Sequence, residues 1–155
     1  MKNRWPVTCT PLTASPIDRV TEQIIGSAIA IHSKYGPGLL ESVYTPCLGQ
    51  ELLERGLQVE IQKPLPLTHK QLRIPRAYIL DLLVDNCVIV EVKCVQEIAP
   101  IHEAQLLTYL RLTGLTVGLI INFNVTALRY GIRRVVNGYE DESPSTRAPR
   151  GRAGE

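Results

Sequence analysis

Three charged residues interrupt two otherwise apolar runs. Asp81 is the sole charge between Tyr78 and Val84, and Glu91 and Lys93 are the only charges between Cys87 and Val95. Burying an unpaired charge costs several kcal/mol, so such residues persist when they are paired, solvated in a cleft, or bound to an ion. Glu91 and Lys93 are two apart, which on a strand sends both side chains to one face. A hard cation such as Mg²⁺ takes one or two carboxylates together with water and phosphate oxygens. Asp81 and Glu91 have the chemistry to supply those carboxylates. Lys93 beside them can orient or deprotonate a water, or neutralise charge developing on a phosphate.

The elements that must position these residues are two strands joined at Asp85-Asn86, a hairpin signal. A tight two-residue turn there would set Val84 opposite Cys87 and Asp81 opposite Val90, turning Glu91 to the other face. The turn chemistry favours that form, because Asn86 tolerates positive φ. A shared site therefore requires a three-residue loop or a bulge, and the shared site is the expectation here.

Around the hairpin the pattern predicts a first helix opening at Ser15, with Pro16 at its first position and Asp18 completing a capping box. Val20, Ile24, Ala28, Ile31 and Tyr35 form its apolar stripe, and Gly36-Pro37 stops it. A second helix is predicted over 39–55, ended by Gly56, with Pro46 expected to interrupt or bend it. Residues 58–68, with Pro64 and Pro66, read as an edge strand. The hairpin strands follow at 77–84 and 87–95. A third helix over 100–113 ends at Gly114, residues 116–123 read as a strand covered on both faces, and a last strand covers 128–136. The order is α-α-β-β-β-α-β-β, a mixed β-sheet flanked by helices, with a parallel crossover through the third helix.

An aspartate followed ten residues later by Glu-x-Lys on an apolar hairpin resembles the PD-(D/E)XK nuclease signature, carried by Asp81, Glu91 and Lys93. Upstream, Gly38, Glu41 and Tyr44 match the G-x-x-E-x-x-Y pattern of the GxxExxY family. Downstream, Gln105 and Tyr109 match the Q-x-x-x-Y motif of RecB-type nucleases. The resemblance spans about residues 17–137 and implies a restriction-endonuclease-like α/β core. It implies that Glu41, Asp81 and Glu91 hold Mg²⁺ or Mn²⁺, with Lys93, Glu91 and Asp81 as the catalytic set. It further implies that Gln105 and Tyr109 position the substrate, a nucleic acid, with DNA favoured over RNA and the choice not readable from the residues; Tyr44 of the motif and His102, one turn before Gln105 on the same side of the helix, are placed with them as substrate-positioning candidates. Two departures from the family pattern bear on substrate contacts and helix geometry: Tyr78-Ile79-Leu80 precedes Asp81 where a basic or small polar residue is usual, and Pro46 follows Tyr44.

Each residue also has a plainer role open to it. Glu91 and Lys93 are able to form a simple ion pair, Glu41 to sit solvated on its helix, and Tyr109 to pack in the core with its hydroxyl at the edge. His32 and His69 read as loop or surface residues, and Arg129, Arg133 and Arg134 on the last strand as a solvated face ahead of the alternative, phosphate contacts. The chain of 155 residues suits one hydrophobic core, read as a domain over 15–139 between disordered ends, 1–14 and 140–155. A formal charge of +2 does not by itself indicate a nucleic-acid partner. No run reaches membrane-helix length and no signal-peptide core is present at the start, so a cytoplasmic setting is expected. Cys9, Cys47, Cys87 and Cys94 lack metal-site spacing and are expected to be reduced thiols. The alternative function is a non-catalytic nucleic-acid-binding or protein-interaction module, with a protein partner or a second copy bound to the same fold.

Overall fold

A computed structural model describes residues 17–138; the Ser15-Pro16 helix start and the two proposed disordered ends lie outside them. Helix α1 runs Ile17–Tyr35. It buries Val20, Ile24, Ala28 and Ile31, while Tyr35, last in the stripe, is exposed. The Asp18 carboxylate accepts from Arg134, 3.0 Å away and distant along the chain. Helix α2, Glu41–Glu54, passes through Pro46 without a break. The proline occupies an exposed turn of the helix, where its ring costs one backbone bond and displaces no packed neighbour.

Five strands follow in the spatial order β1-β2-β3-β4-β5. They are β1 (Val59–His69), β2 (Leu72–Val84), β3 (Val88–Lys93), β4 (Val117–Asn122) and β5 (Ile132–Val136). Neighbours pair antiparallel except β3 and β4, which are parallel and joined by helix α3, Pro100–Thr113. The pairing makes β1 an edge strand, where Pro64 and Pro66 forfeit no interior ladder bond. The fold is thus the mixed, helix-flanked α/β sheet that the pattern predicts. Gly56 and Gly114 end α2 and α3 with φ of +84° and +74°.

The sheet separates two cores. Val88, Val90 and Val92 of β3 join Leu119 and Ile121 of β4 beneath α1 and α2. Ile89 and Ile120, one residue out of phase, join Leu106, Tyr109 and Leu110 of α3 on the other face. All six residues of β4 are buried, five of them apolar or glycine and the last, Asn122, polar.

Three segments differ from the pattern. Strand β2 begins five residues earlier than expected, because Leu72, Arg73 and Ile74 pair with the end of β1 beyond an irregular register rather than forming a loop. The last strand is shortened by a 3-10 turn, Leu128–Tyr130, and starts only after Gly131, whose carbonyl receives the Asn122 N–H at 2.8 Å. His32 is buried, not a surface residue, and its Nε2 lies 2.8 Å from the Val125 carbonyl. No helix among the described residues is long and apolar enough to cross a membrane.

Candidate functional site

The hairpin between β2 and β3 settles whether Asp81 and Glu91 share a face. Asp85 and Asn86 both have positive φ, +48° and +54°, and Cys87 N–H closes a turn on the Val84 carbonyl at 3.0 Å. Yet the strands pair Val84 with Val88, Leu83 with Ile89 and Leu82 with Val90. Cys87 is thus a third loop residue, and Asp81 comes opposite Glu91. Long-range bonds explain why local turn preference yields. Asp85 N–H donates to Gln58 O and Gln58 N–H donates to the Asp85 carboxylate, both at 2.8 Å, while Cys87 is buried in the core under α1 and α2.

Regular pairing of β2 with β3 stops at Leu82 and Val90. Beyond it the two carboxylates bridge the strands in place of ladder carbonyls: Asp81 N–H donates to Glu91 Oε1 at 3.3 Å, and Val92 N–H donates to Asp81 Oδ2 at 2.9 Å. A second distortion meets the first. Gln62 on β1, a non-glycine residue at φ +54° inside a strand, donates its amide to Asp81 Oδ1 at 3.2 Å. The pleat changes phase there. Leu82 faces the α1–α2 core and Leu80 the α3 core, although they are two apart. Ile61, placed against Gly49 of α2, and Leu65, in the α3 core, show the same switch on β1. Backbone held in a sparsely populated region persists only when its surroundings impose it. Here it fixes the direction of a candidate metal ligand.

Glu91 is 5% exposed. Burial, then the charge of Asp81, raises its pKa from 4.5 to about 8, with Lys93 acting in the opposite sense. A buried carboxyl set against a second one holds its charge poorly unless a cation joins them. Tyr109, buried on α3, is held above the ordinary tyrosine range by burial and then by Glu91, Asp81 and Tyr78. Its hydroxyl therefore keeps its proton beside the acid pair and is able to donate a hydrogen bond. Tyr78 flanks it, with ring centroids 5.2 Å apart.

The other predicted site residues divide. Tyr44 does not face a substrate. It is fully buried, stacks on Phe123 at 4.2 Å, donates its hydroxyl to Gly36 O and accepts from Leu39 N–H at 3.2 Å. These bonds clamp a loop in which Gly36 and Gly38 have φ of +66° and +117°, so the glycine and tyrosine of the motif are a loop and its pin. Glu41, at the first position of α2, is partly buried and acts on the Cys94 thiol, which burial and then Glu41 push up. Cys94 in turn donates to Leu39 O at 3.6 Å, which anchors the loop to the end of β3. Glu41 thus sits near the strand end that carries Lys93. It does not join Asp81 and Glu91, because α2 packs on the opposite face of the sheet. No three His, Cys, Asp or Glu side chains among the described residues gather as a metal-holding group.

His102 is occupied as a helix cap. Its N–H donates to Ala99 O at 2.9 Å and its Nδ1 accepts from Ala99 N–H at 3.0 Å. Gln105 is exposed one turn before Tyr109. Arg133 pairs with Glu103 at 3.8 Å and Arg134 with Asp18, so two of the three β5-region arginines are tied down. Two residues carry weight that the pattern did not reveal. Gln62 holds Asp81, and its only sequence signal is a polar residue facing an acid across a hairpin. Asn122, buried at the end of β4, accepts from Val95 N–H at 3.1 Å and donates to Val95 O at 2.9 Å. It thereby fixes the segment that leaves Lys93.

The distorted hairpin with its acid pair and adjacent lysine, on a mixed sheet with α3 crossing between parallel strands, defines a nuclease-type core. The family model of the PD-(D/E)XK nuclease superfamily matches residues 18–135, and the chain belongs to that superfamily. No curated protein and no solved structure matches it.

Proposed function

We propose that this chain, a member of the GxxExxY group within the superfamily, is a divalent-metal-dependent phosphodiesterase acting on DNA. The observation that carries the reading is the three-residue turn that brings Asp81 opposite Glu91 with Lys93 on the same strand face. The residues fit Mg²⁺ or Mn²⁺, since hard cations accept one or two carboxylates and complete their shell with water and phosphate oxygens. Such a cation on Asp81 and Glu91 supplies Lewis-acid polarisation of the phosphodiester. Gln62 and the Val92 N–H hold the Asp81 carboxylate in one orientation, as outer groups do for ligands generally. Lys93 neutralises charge developing on the phosphate or takes a proton from the attacking water. Tyr109 offers its O–H to a phosphate oxygen, and exposed Gln105 extends that contact outward. Asp81 and Glu91 are the carboxylates of this reading; Glu41, on the α2 side of the strand end beside Cys94, stands apart from them.

Incubating purified protein with plasmid and single-stranded DNA plus Mg²⁺ or Mn²⁺ tests this. Cleavage is expected from the wild type and not from Asp81→Asn or Glu91→Gln. Cleavage by both variants at the wild-type rate would defeat the proposal.

A further inference from the structure

The hairpin formed by β1 and β2 is longer than the sheet it belongs to. Only Leu82–Val84 of β2 pairs with β3, whereas β1 and β2 pair with each other out to His69 and Leu72. The base of this arm leans on the α3 core through Leu65, Tyr78 and Leu80. Its tip stands clear: residues 69–76 are all exposed. A register irregularity between Leu65 and Leu67 bends it.

The charge on the arm is one-sided. Residues 61–80 contain Lys63, Lys70, Arg73 and Arg76, with His69, and no aspartate or glutamate. Lys70, Arg73 and Arg76 form no ion pair among the described residues, in contrast to Arg133 and Arg134. Leu72, 60% exposed, and Ile74 lie between them. The arm also has a fixed relation to the acid pair. β2 enters the sheet at Asp81, and antiparallel β3 runs out toward the arm, so Glu91, then Lys93, are its nearest neighbours on the sheet.

From this placement we infer that the β1–β2 arm is a duplex-DNA contact, in which Lys70, Arg73 and Arg76 engage backbone phosphates and lead the strand to Asp81 and Glu91. A two-stranded ribbon is narrow enough for the major groove, where exposed aliphatic side chains beside arginines find the thymine methyl groups. Continuity with the acid pair favours nucleic acid over an anionic lipid surface. The inference rests on the nuclease reading for its choice of partner, but the contact itself requires no catalysis.

The test measures binding of the full chain to a short fluorescent duplex in EDTA, across a range of KCl concentrations. Each lost phosphate contact flattens the plot of log affinity against log salt by about 0.9, so Lys70→Ala/Arg73→Ala/Arg76→Ala should lower its slope by roughly 2.7. Lys34→Ala, outside the arm, should leave it within about one contact of the wild type. Thermal melting confirms that the triple variant folds, and the single Arg73→Glu variant, expected to weaken binding at low salt, provides a second reading. An unchanged slope in the triple variant, no duplex binding by the wild type at low salt, or binding to anionic vesicles in place of duplex would overturn the inference. Metal-dependent cleavage with an unchanged slope would remove the arm and leave the catalytic reading. A flattened slope with no cleavage under any divalent cation would do the reverse.

Discussion

Glu91→Gln isolates the electrostatic tension in the acid pair. In the metal-free protein burial and Asp81 raise the Glu91 carboxyl to about 8 from 4.5. Between those values the folded protein retains a proton that the unfolded chain has released, so folding stability falls as pH rises through that window. The slope is about 1.4 kcal/mol per pH unit, and over the interval from 4.5 to about 8 it accumulates to roughly 5 kcal/mol. Glutamine keeps the shape of the side chain and the Oε1 acceptor for the Asp81 N–H, but carries no charge at any pH. The variant should therefore match the wild type near pH 4.5 and become progressively more stable than it up to pH 8, with a plateau above. For a domain of this size each kcal/mol moves the melting temperature by roughly 3–4 °C. Urea or thermal unfolding in EDTA from pH 5 to 9 measures the difference. A stability difference that does not change with pH would refute the reasoning, because it would mean that Glu91 ionises as an ordinary exposed carboxylate.

Adding Mg²⁺ or Mn²⁺ should reverse the same penalty: at a hundredfold excess over Kd the wild type gains about 2.7 kcal/mol of stability, and Glu91→Gln should gain far less in calorimetry or melting. Gln62→Gly removes both the positive-φ strain and the amide that holds Asp81. Stability should stay level or rise by about 1 kcal/mol while cleavage falls about 10–100-fold, compared by melting and by initial rate. Tyr44→Phe keeps the stack on Phe123 and loses the hydroxyl that pins the glycine loop. It should cost about 1–3 kcal/mol of stability and leave KM for DNA unchanged, a result that a substrate-contacting tyrosine would not give.

The order of elements was readable because period and punctuation agree over long segments: the stripe of α1, the glycines ending α2 and α3, the almost wholly apolar β4. The candidate site residues were readable because charges stand out in apolar strands. What the sequence hid depends on distant partners. The turn at Asp85-Asn86 has the positive φ values that its residues favour, yet its register is set by Gln58, far away along the chain. Gln62 carries no signal for a left-handed conformation, and only the meeting of β1 with Asp81 imposes one. Tyr44, a motif residue, and His102, one turn before Gln105, read as substrate contacts because neither a motif nor helix spacing records that the Tyr44 hydroxyl and the His102 Nδ1 are already spent on the backbone. The β1–β2 arm was missed for the opposite reason: Leu72–Arg76 lacks clean alternation, so its extension of β2, and the cations it presents, appear only once the strands are paired.

The most direct measurement is cleavage of DNA by the purified wild type and Lys93→Ala, side by side with Mg²⁺ or Mn²⁺ and with melting curves to confirm equal folding. Lys93 lies beside the acid pair without belonging to it. Its removal should leave the fold and most metal binding intact while cleavage falls by about two to four powers of ten, the usual cost of losing a charge-stabilising or proton-transferring group. Cleavage undiminished in Lys93→Ala, or none by the wild type with either cation, would contradict the assignment of Asp81, Glu91 and Lys93 as the catalytic centre.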